Sequence, residues 1–266
     1  SPSGINVILG DGTADDGWGG MDTVSGFEEV IGSDYDDIIM GLGGVNEEFE
    51  GRAGDDTLEG NSGDMDMASY DEAESGVVVD LAGGTAQDGY GDTDTLIDIN
   101  GVQGSAYDDT LIGNSNDNVF VGGAGNDDIQ GGGGTNFVEY WEAQTGVEVD
   151  LAAGTAQDGQ GGTDTLTDIA NVNGGHHDDT LSGDSGVNIL HGGDGDDTLT
   201  GRGGADELYG DAGDDTFVVE GNAFDPGMRI DGGSGGETDG DTLEVHGTVD
   251  FQSTSVDYVE NVHVAN

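Results

Sequence analysis

The chain has no cysteine and no lysine, and only two prolines in 266 residues. Without cysteine there is neither a disulfide framework nor a thiolate zinc site. Positive charge is nearly missing: Arg52, Arg202 and Arg229 stand against 58 acidic residues, for a formal net charge of −55. A nucleic-acid surface needs a basic footprint, so that partner class is excluded. No apolar run approaches the ~20 residues of a membrane-spanning helix, and no membrane insertion is expected. Glycine, by contrast, is in excess at 55 residues. Each glycine costs ~1 kcal/mol against alanine inside a helix, so a helix-rich fold is excluded.

A compact body carrying −55 repels itself. Such a chain either stays disordered or builds cations into its fold. Disorder predicts few apolar residues in no order. Here 32% of residues are apolar, and Val, Ile, Leu and Phe recur at regular places. A halophilic surface would scatter its acids over many contexts, whereas these aspartates concentrate in glycine loops. Incorporated cations fit best.

Read in nines, the chain repeats. GSAYDDTLI (104–112), GNSNDNVFV (113–121), GGAGNDDIQ (122–130) and GGGGTNFVE (131–139) run in tandem. So do GGHHDDTLS (174–182), GDSGVNILH (183–191), GGDGDDTLT (192–200), GRGGADELY (201–209) and GDAGDDTFV (210–218). GSDYDDIIM (32–40) and GRAGDDTLE (51–59) lie nearer the start, and 41–50 and 60–69 are similar units with one extra residue. Positions 1, 2 and 4 favour glycine, position 6 is Asp or Asn, and position 8 is apolar.

A longer period lies above this one. GVVVDLAGGTAQDG (76–89) recurs as GVEVDLAAGTAQDG (146–159), and a weaker copy starts at Gly4. Three tandem copies are expected, about 4–75, 76–145 and 146–218. Together they make one domain over 1–218, followed by a capping segment over 219–266. The abrupt start at residue 4 suggests a piece of a longer array or a processed chain. Four aspartates persist through all three copies: Asp16/Asp88/Asp158, Asp22/Asp94/Asp164, Asp36/Asp108/Asp178 and Asp37/Asp109/Asp179.

With G-G-x-G-x-D-x-U-x in tandem, the chain resembles the RTX calcium-binding repeat family of secreted bacterial proteins. The resemblance covers roughly 32–69, 104–139 and 174–218. It implies a right-handed parallel β-roll, a β-solenoid, in which two nonapeptides make one coil and calcium ions sit between successive loops. It also implies type I export, with the chain crossing unfolded and folding outside the cell on meeting calcium, at an extracellular or cell-surface location.

The residues carry the same reading by themselves. Alternate strand residues face opposite sides, so position 8 points inward, as at Leu58, Leu111, Phe120, Ile129, Leu181, Leu190, Leu199, Leu208 and Phe217. Position-6 residues eighteen apart fall on adjacent strands, ~4.8 Å apart. Calcium, with Ca–O distances of ~2.3–2.6 Å, spans that gap better than magnesium, and loop carbonyls can complete its shell. Without an ion, two carboxylates at that spacing repel by about 3–4 kcal/mol at an effective dielectric near 20. About a dozen calcium ions would offset roughly 24 charges. The expected ligands on one edge are Asp37, Asp56, Asp109, Asp127, Asp179, Asp197 and Asp215. On the other edge they are Asn46, Asp66, Asn118, Asn136, Asn188 and Asp206. Asp241 echoes position 6 in a stretched repeat of the tail. Asp22, Asp94 and Asp164 sit in the longer loops, where ligation and plain turn formation compete; Asp88 is the weaker candidate there.

His176 and His177 are adjacent and do not converge easily on one ion; exposed polar loop residues are the simpler reading. Tyr140-Trp141 breaks the copy pattern, with local packing the simpler account. The tail segments LEVHGTVDF and VDYVENVHV read as strands closing an open edge. The chain reads as a non-catalytic calcium-binding structural module. The alternative is the calcium-dependent folding and secretion domain of an exported protease, lipase or polysaccharide-modifying enzyme. Candidate partners besides calcium are a surface polysaccharide and other copies of the chain.

Because asparagine offers one neutral oxygen where aspartate offers two charged ones, the two edges should bind calcium unequally. Asp197→Ala, which removes a ligand shared by two sites, should cost more stability in calcium than Asn118→Ala. Denaturation of the two variants side by side checks this; equal costs would make the edges equivalent.

Overall fold

A computed structural model describes residues 1–61, 65–220, 227–234, 240–246 and 254–265. Short strands alternate with glycine loops, and the helical content of the described residues is one 3-10 turn, Leu9–Asp11. The described chain falls into two compact units, Ser1–Asn136 and Phe137–Asn266.

In the first unit, Asn6–Ile8, Ile38–Met40, Thr57–Glu59 and Thr93–Ile97 form parallel neighbours of one sheet. Glu29–Ile31, Glu48–Glu50, Met67–Ser69, Gly101–Gln103 and Val119–Val121 form the other, also parallel. In the second unit, Glu148–Asp150 is followed in parallel by Thr180–Ser182, Thr198–Thr200, Thr216–Glu220, Thr242–His246 and Asn261–Ala265. The second sheet of that unit runs from Phe137–Glu139 through Asn171–Gly175, Ile189–Asp194, Glu207–Ala212 and Arg229–Asp231 to Ser255–Asp257. Successive nonapeptides alternate between the two sheets, which is the parallel β-roll that the nine-residue period predicts.

The register stacks position-8 residues into two apolar columns per unit. Leu181, Leu199, Phe217 and Leu243 align on one sheet of the second unit, and Val172, Leu190, Leu208 and Ile230 on the other. All eight are fully buried. One inward residue per strand is enough because the body between the sheets is a single layer of side chains thick. That is how a chain with so few apolar residues has a dry interior.

The roll departs from strict parallel winding at the longer loops. Val78–Asp80, Thr85–Gln87 and Thr93–Ile97 form an antiparallel meander within one sheet. Glu148–Asp150, Thr155–Gln157 and Thr163–Thr167 repeat it, as do Asn6–Ile8, Thr13–Asp15 and Met21–Thr23. The cause is local. Gly84 and Gly154 both take φ +68°, and Gly91 and Gly161 take φ +116° and +110°, so the chain doubles back twice. The tail strands lie at Thr242–His246, Ser255–Asp257 and Asn261–Ala265, while 247–251 of LEVHGTVDF fall outside the described residues.

Truncating a column should be costly. Phe217→Ala should destabilise the calcium-loaded protein by about 3–5 kcal/mol. Val187→Ala, at a site 60% exposed, should stay within about 0.5 kcal/mol. Chemical denaturation in saturating calcium reads both.

Candidate metal centre

Counting back two residues from Leu181, Leu199, Phe217 and Leu243 reaches the inward carboxylates Asp179, Asp197, Asp215 and Asp241. In the second unit these form an unbroken ladder in which each backbone N–H donates to the Oδ1 of the next coil. Asp179 donates to Asp197 at 2.7 Å, Asp197 to Asp215 at 2.9 Å and Asp215 to Asp241 at 2.8 Å. Asp241 donates in turn to Glu260 Oε2 at 3.0 Å. In the first unit, Asp37 donates to Asp56 at 2.7 Å, Asp56 to Asp94 at 3.1 Å, and separately Asp109 to Asp127 at 2.9 Å. Each row begins where an apolar residue stands two before the column: the N–H groups of Ile5, Val77 and Val147 donate to Asp37, Asp109 and Asp179.

These ladders use one oxygen of each carboxylate. The Oδ2 atoms of Asp56, Asp179, Asp197 and Asp215 are buried with no hydrogen-bond donor. Buried polar atoms are normally partnered, so each marks a place where something else is expected. Burial first, and then the neighbouring carboxylates, push Asp56 and Asp197 up to about 8 and Asp215 up to about 7. Burial likewise pushes Asp179 up to about 6.

The glycines at position 1 complete the cradle. A Cβ on Gly174 would collide with Asp179 Oδ2 and the Gly192 carbonyl, and one on Gly192 with Asp197 Oδ2 and the Gly210 carbonyl. Position 4 has a different reason: Gly195 and Gly213 hold φ +128° and +147°, which a side chain disfavours. Carboxylate and carbonyl oxygens therefore face each other across successive coils, with the orphaned oxygens among them. Hard oxygen donors without nitrogen or sulfur suit calcium. Among the described residues no three carboxylate or imidazole side chains converge on one point, so carbonyls must supply a large share of any shell. When bound, calcium supplies the positive charge that the inward rows lack.

The other edge differs in kind. Asn118 donates to Asn136 Oδ1 at 3.0 Å, and Asn188 to Asp206 Oδ1 at 3.0 Å. The amide groups then do what a cation would do: Asn118 Nδ2 donates to the Asn100 carbonyl at 3.1 Å, and Asn188 Nδ2 to the Ala170 carbonyl at 2.8 Å. An asparagine there is satisfied without an ion, which supports a weaker second edge.

Three placements differ from the sequence expectation. Asn46 is exposed, its Oδ1 taking the Met65 N–H, and Glu47 occupies the inward place, donating to Asp66 Oδ1 at 3.0 Å. The extra residue in 41–50 shifts the count, and counting back from Phe49 instead of forward from Gly41 finds Glu47. Asp22 is exposed, in a strand paired with Thr13–Asp15, whereas its counterparts Asp94 and Asp164 are buried. Among the described residues no parallel strand pairs with Met21–Thr23 as Thr57–Glu59 pairs with Thr93–Ile97. Asp94 is itself a rung of the first row, not a feature of the longer loop alone.

Sequence reasoning passed over a second ladder, at position 5. Asp36, Asp108, Asp178 and Asp196 accept the N–H of Asp55, Asn126, Asp196 and Asp214 at 2.8–3.1 Å on the exposed side. The persistence of Asp36/Asp108/Asp178 through the copies was its signal. His176 meets Asp194 and His191 meets Asp211, each at 2.9 Å, and His191 stacks on Tyr209. His176 and His191 thus pair with surface acids. Tyr140 is buried, with its hydroxyl on Asp164 at 3.2 Å.

A thin roll with orphaned carboxylate oxygens repeated along its loops defines a class, the calcium-binding parallel β-roll. Family comparison narrows it: the model of the RTX calcium-binding nonapeptide repeat matches residues 43–64, 103–138, 171–190 and 182–217. The chain therefore carries four copies of that repeat and binds multiple calcium ions through it, as a calcium-binding repeat module of the kind typical of secreted bacterial proteins. Comparison with curated proteins gives no match.

Raised carboxyl values in the metal-free fold give a signed pH dependence. The unfolded chain ionises these aspartates near pH 3.9, while the folded rows hold their protons to about 6–8. Protonation therefore favours the metal-free fold, and that contribution is lost as pH rises through this window. Calcium-stripped protein should show more strand by far-UV circular dichroism at pH 5 than at pH 8.5. Calcium affinity should run the other way, because protons compete for the same oxygens.

Proposed function

We propose that the chain is a structural module that folds on binding calcium outside the cell, as part of a secreted or cell-surface bacterial protein. The carrying observation is the set of buried, donorless Oδ2 atoms at Asp56, Asp179, Asp197 and Asp215. Each belongs to a row of like charges one strand apart, with no basic side chain among the rungs. Such rows close only when a cation enters, so calcium binding energy becomes folding energy. In this reading residues 1–218 are the calcium-dependent roll in its three copies, and 219–266 are the cap. The expected ligands Asp37, Asp56, Asp94, Asp109, Asp127, Asp164, Asp179, Asp197, Asp215 and Asp241 line the principal edge. Asp66, Asp206, Asn118, Asn136 and Asn188 line the weaker one, with Glu47 in the place expected of Asn46. The module is non-catalytic. A surface this acidic meets an acidic polysaccharide or a second copy of itself by sharing cations.

The test is folding with and without calcium. In EGTA at low salt the chain should lose its strand signal cooperatively and shift the Trp18 and Trp141 fluorescence, and calcium should restore both. A fully folded chain in chelator overturns the proposal, and rescue by NaCl alone would replace it with a halophilic surface.

A further inference from the structure

Asp88 and Asp158 lie outside the nonapeptides and outside the inward rows, yet they are 0% and 1% exposed. Asp88 Oδ1 accepts three backbone N–H groups, from Tyr90, Gly91 and Asp92, each at 3.0 Å. Asp158 Oδ1 accepts those of Gln160, Gly161 and Gly162, each at 2.8 Å. Shaping the meander turn needs only that oxygen. The other, Oδ2, is buried without a donor in both residues.

The surroundings of Asp88 are anionic. Asp94 Oδ1 takes the Asp56 N–H at 3.1 Å, and Asp94 Oδ2 takes the Tyr70 hydroxyl at 3.1 Å. Asp56, Asp94 and Tyr70 are all buried, and the Oδ2 of Asp56 is also donorless. In the meander Ala86 pairs with Asp94 and the Asp88 N–H meets the Asp92 carbonyl, so Asp88, two residues beyond Ala86, stands diagonally across from Asp94, both buried. The ion pairs of the described residues involve Arg52, Arg202, Arg229, His176, His191 and His246, and none reaches these carboxylates. The meander of the second unit repeats the pattern, with Asp164 and Tyr140 in the places of Asp94 and Tyr70. In the first meander Asp16 is only half-buried and Asp22 exposed, so the pocket is not formed there.

We propose that the meander turn is a second class of calcium site. In it Asp88 Oδ2, with the carboxylate of Asp94, binds a hard divalent cation where the inserted hairpin meets the end of the first row. Asp158 and Asp164 make the matching site in the second unit. The side chains do not form a three-donor cage in the metal-free arrangement; two carboxylates, with carbonyl and water oxygens, would complete the six to eight donors calcium takes. A buried carboxylate oxygen without a donor calls for a cation, where a turn in water would not. The proposal rests on the module binding calcium at all.

Counting calcium on the full chain at saturation separates the two ideas. Asp88→Asn/Asp158→Asn keeps an Oδ1 acceptor for the turn amides and removes the second anionic oxygen. The double variant should bind about two ions fewer than the parent, one for each site. Asp16→Asn should leave the count unchanged. A double variant that binds as many ions as the parent overturns the meander site alone, whereas a parent that binds none overturns the functional reading as well. Should the double variant fail to fold in calcium, terbium titration of the parent decides. Tyr70 and Tyr140 lie at the sites, so tyrosine-sensitised emission should appear and should fall in Tyr70→Phe/Tyr140→Phe; emission unchanged in that variant overturns the proposal.

Discussion

Repulsion between carboxylates stacked one strand apart is the constraint on which this fold depends. A parallel roll returns every loop to the same azimuth, so whatever stands at position 6 meets its own repeat at ~4.8 Å. Choosing aspartate there sets up a row that opposes the stacking of its own strands. The apolar columns favour closure and the rows resist it. In each unit the columns are a single layer thick, too thin to override many such oppositions without a positive charge between the rungs.

The rest of the loop answers the same constraint. Position-1 glycines leave room for oxygens where a Cβ would stand, as at Gly174 and Gly192. Position-4 glycines turn the backbone so that carbonyls face the next coil. In Asp56, Asp179, Asp197 and Asp215 the Oδ1 is held by an amide, which fixes the carboxylate and leaves Oδ2 uncommitted. Where asparagine replaces aspartate, at Asn118 and Asn188, a side-chain amide fills the need at that rung. Arg202 shows the remaining option: it takes both oxygens of Asp150 and holds that carboxyl down to about 2. Three arginines cannot do this for 58 acids.

Much of this was legible in the sequence because two periods coincide. The nine-residue spacing of Leu181, Leu190, Leu199 and Leu208 marks both columns, and Asp179, Asn188, Asp197 and Asp206, two residues before them, mark the rows. The failures occur where the count slips. Asn46 was taken for the rung because the ten-residue unit was counted from its first glycine, while register is set by the buried Phe49. The meander at Val78–Ile97 was read as a longer loop, since Thr85–Gln87 carries one small buried residue, Ala86, between exposed neighbours and gives little periodic signal. The burial of Asp88 was illegible for a related reason: an aspartate among glycines looks the same whether its turn lies in water or beneath a strand.

The ladder also has a direction. Asp56, Asp197 and Asp215 each pass their N–H to the next coil and receive one from the coil before, and the passing starts afresh at Ile5, Val77 and Val147. Those three residues act as punctuation. A lost rung interrupts hydrogen bonding only as far as the next apolar start, so damage is quarantined within a row. By the same token the chain need not answer a rising ion concentration as a single switch. It can assemble sentence by sentence, each row closing at its own threshold.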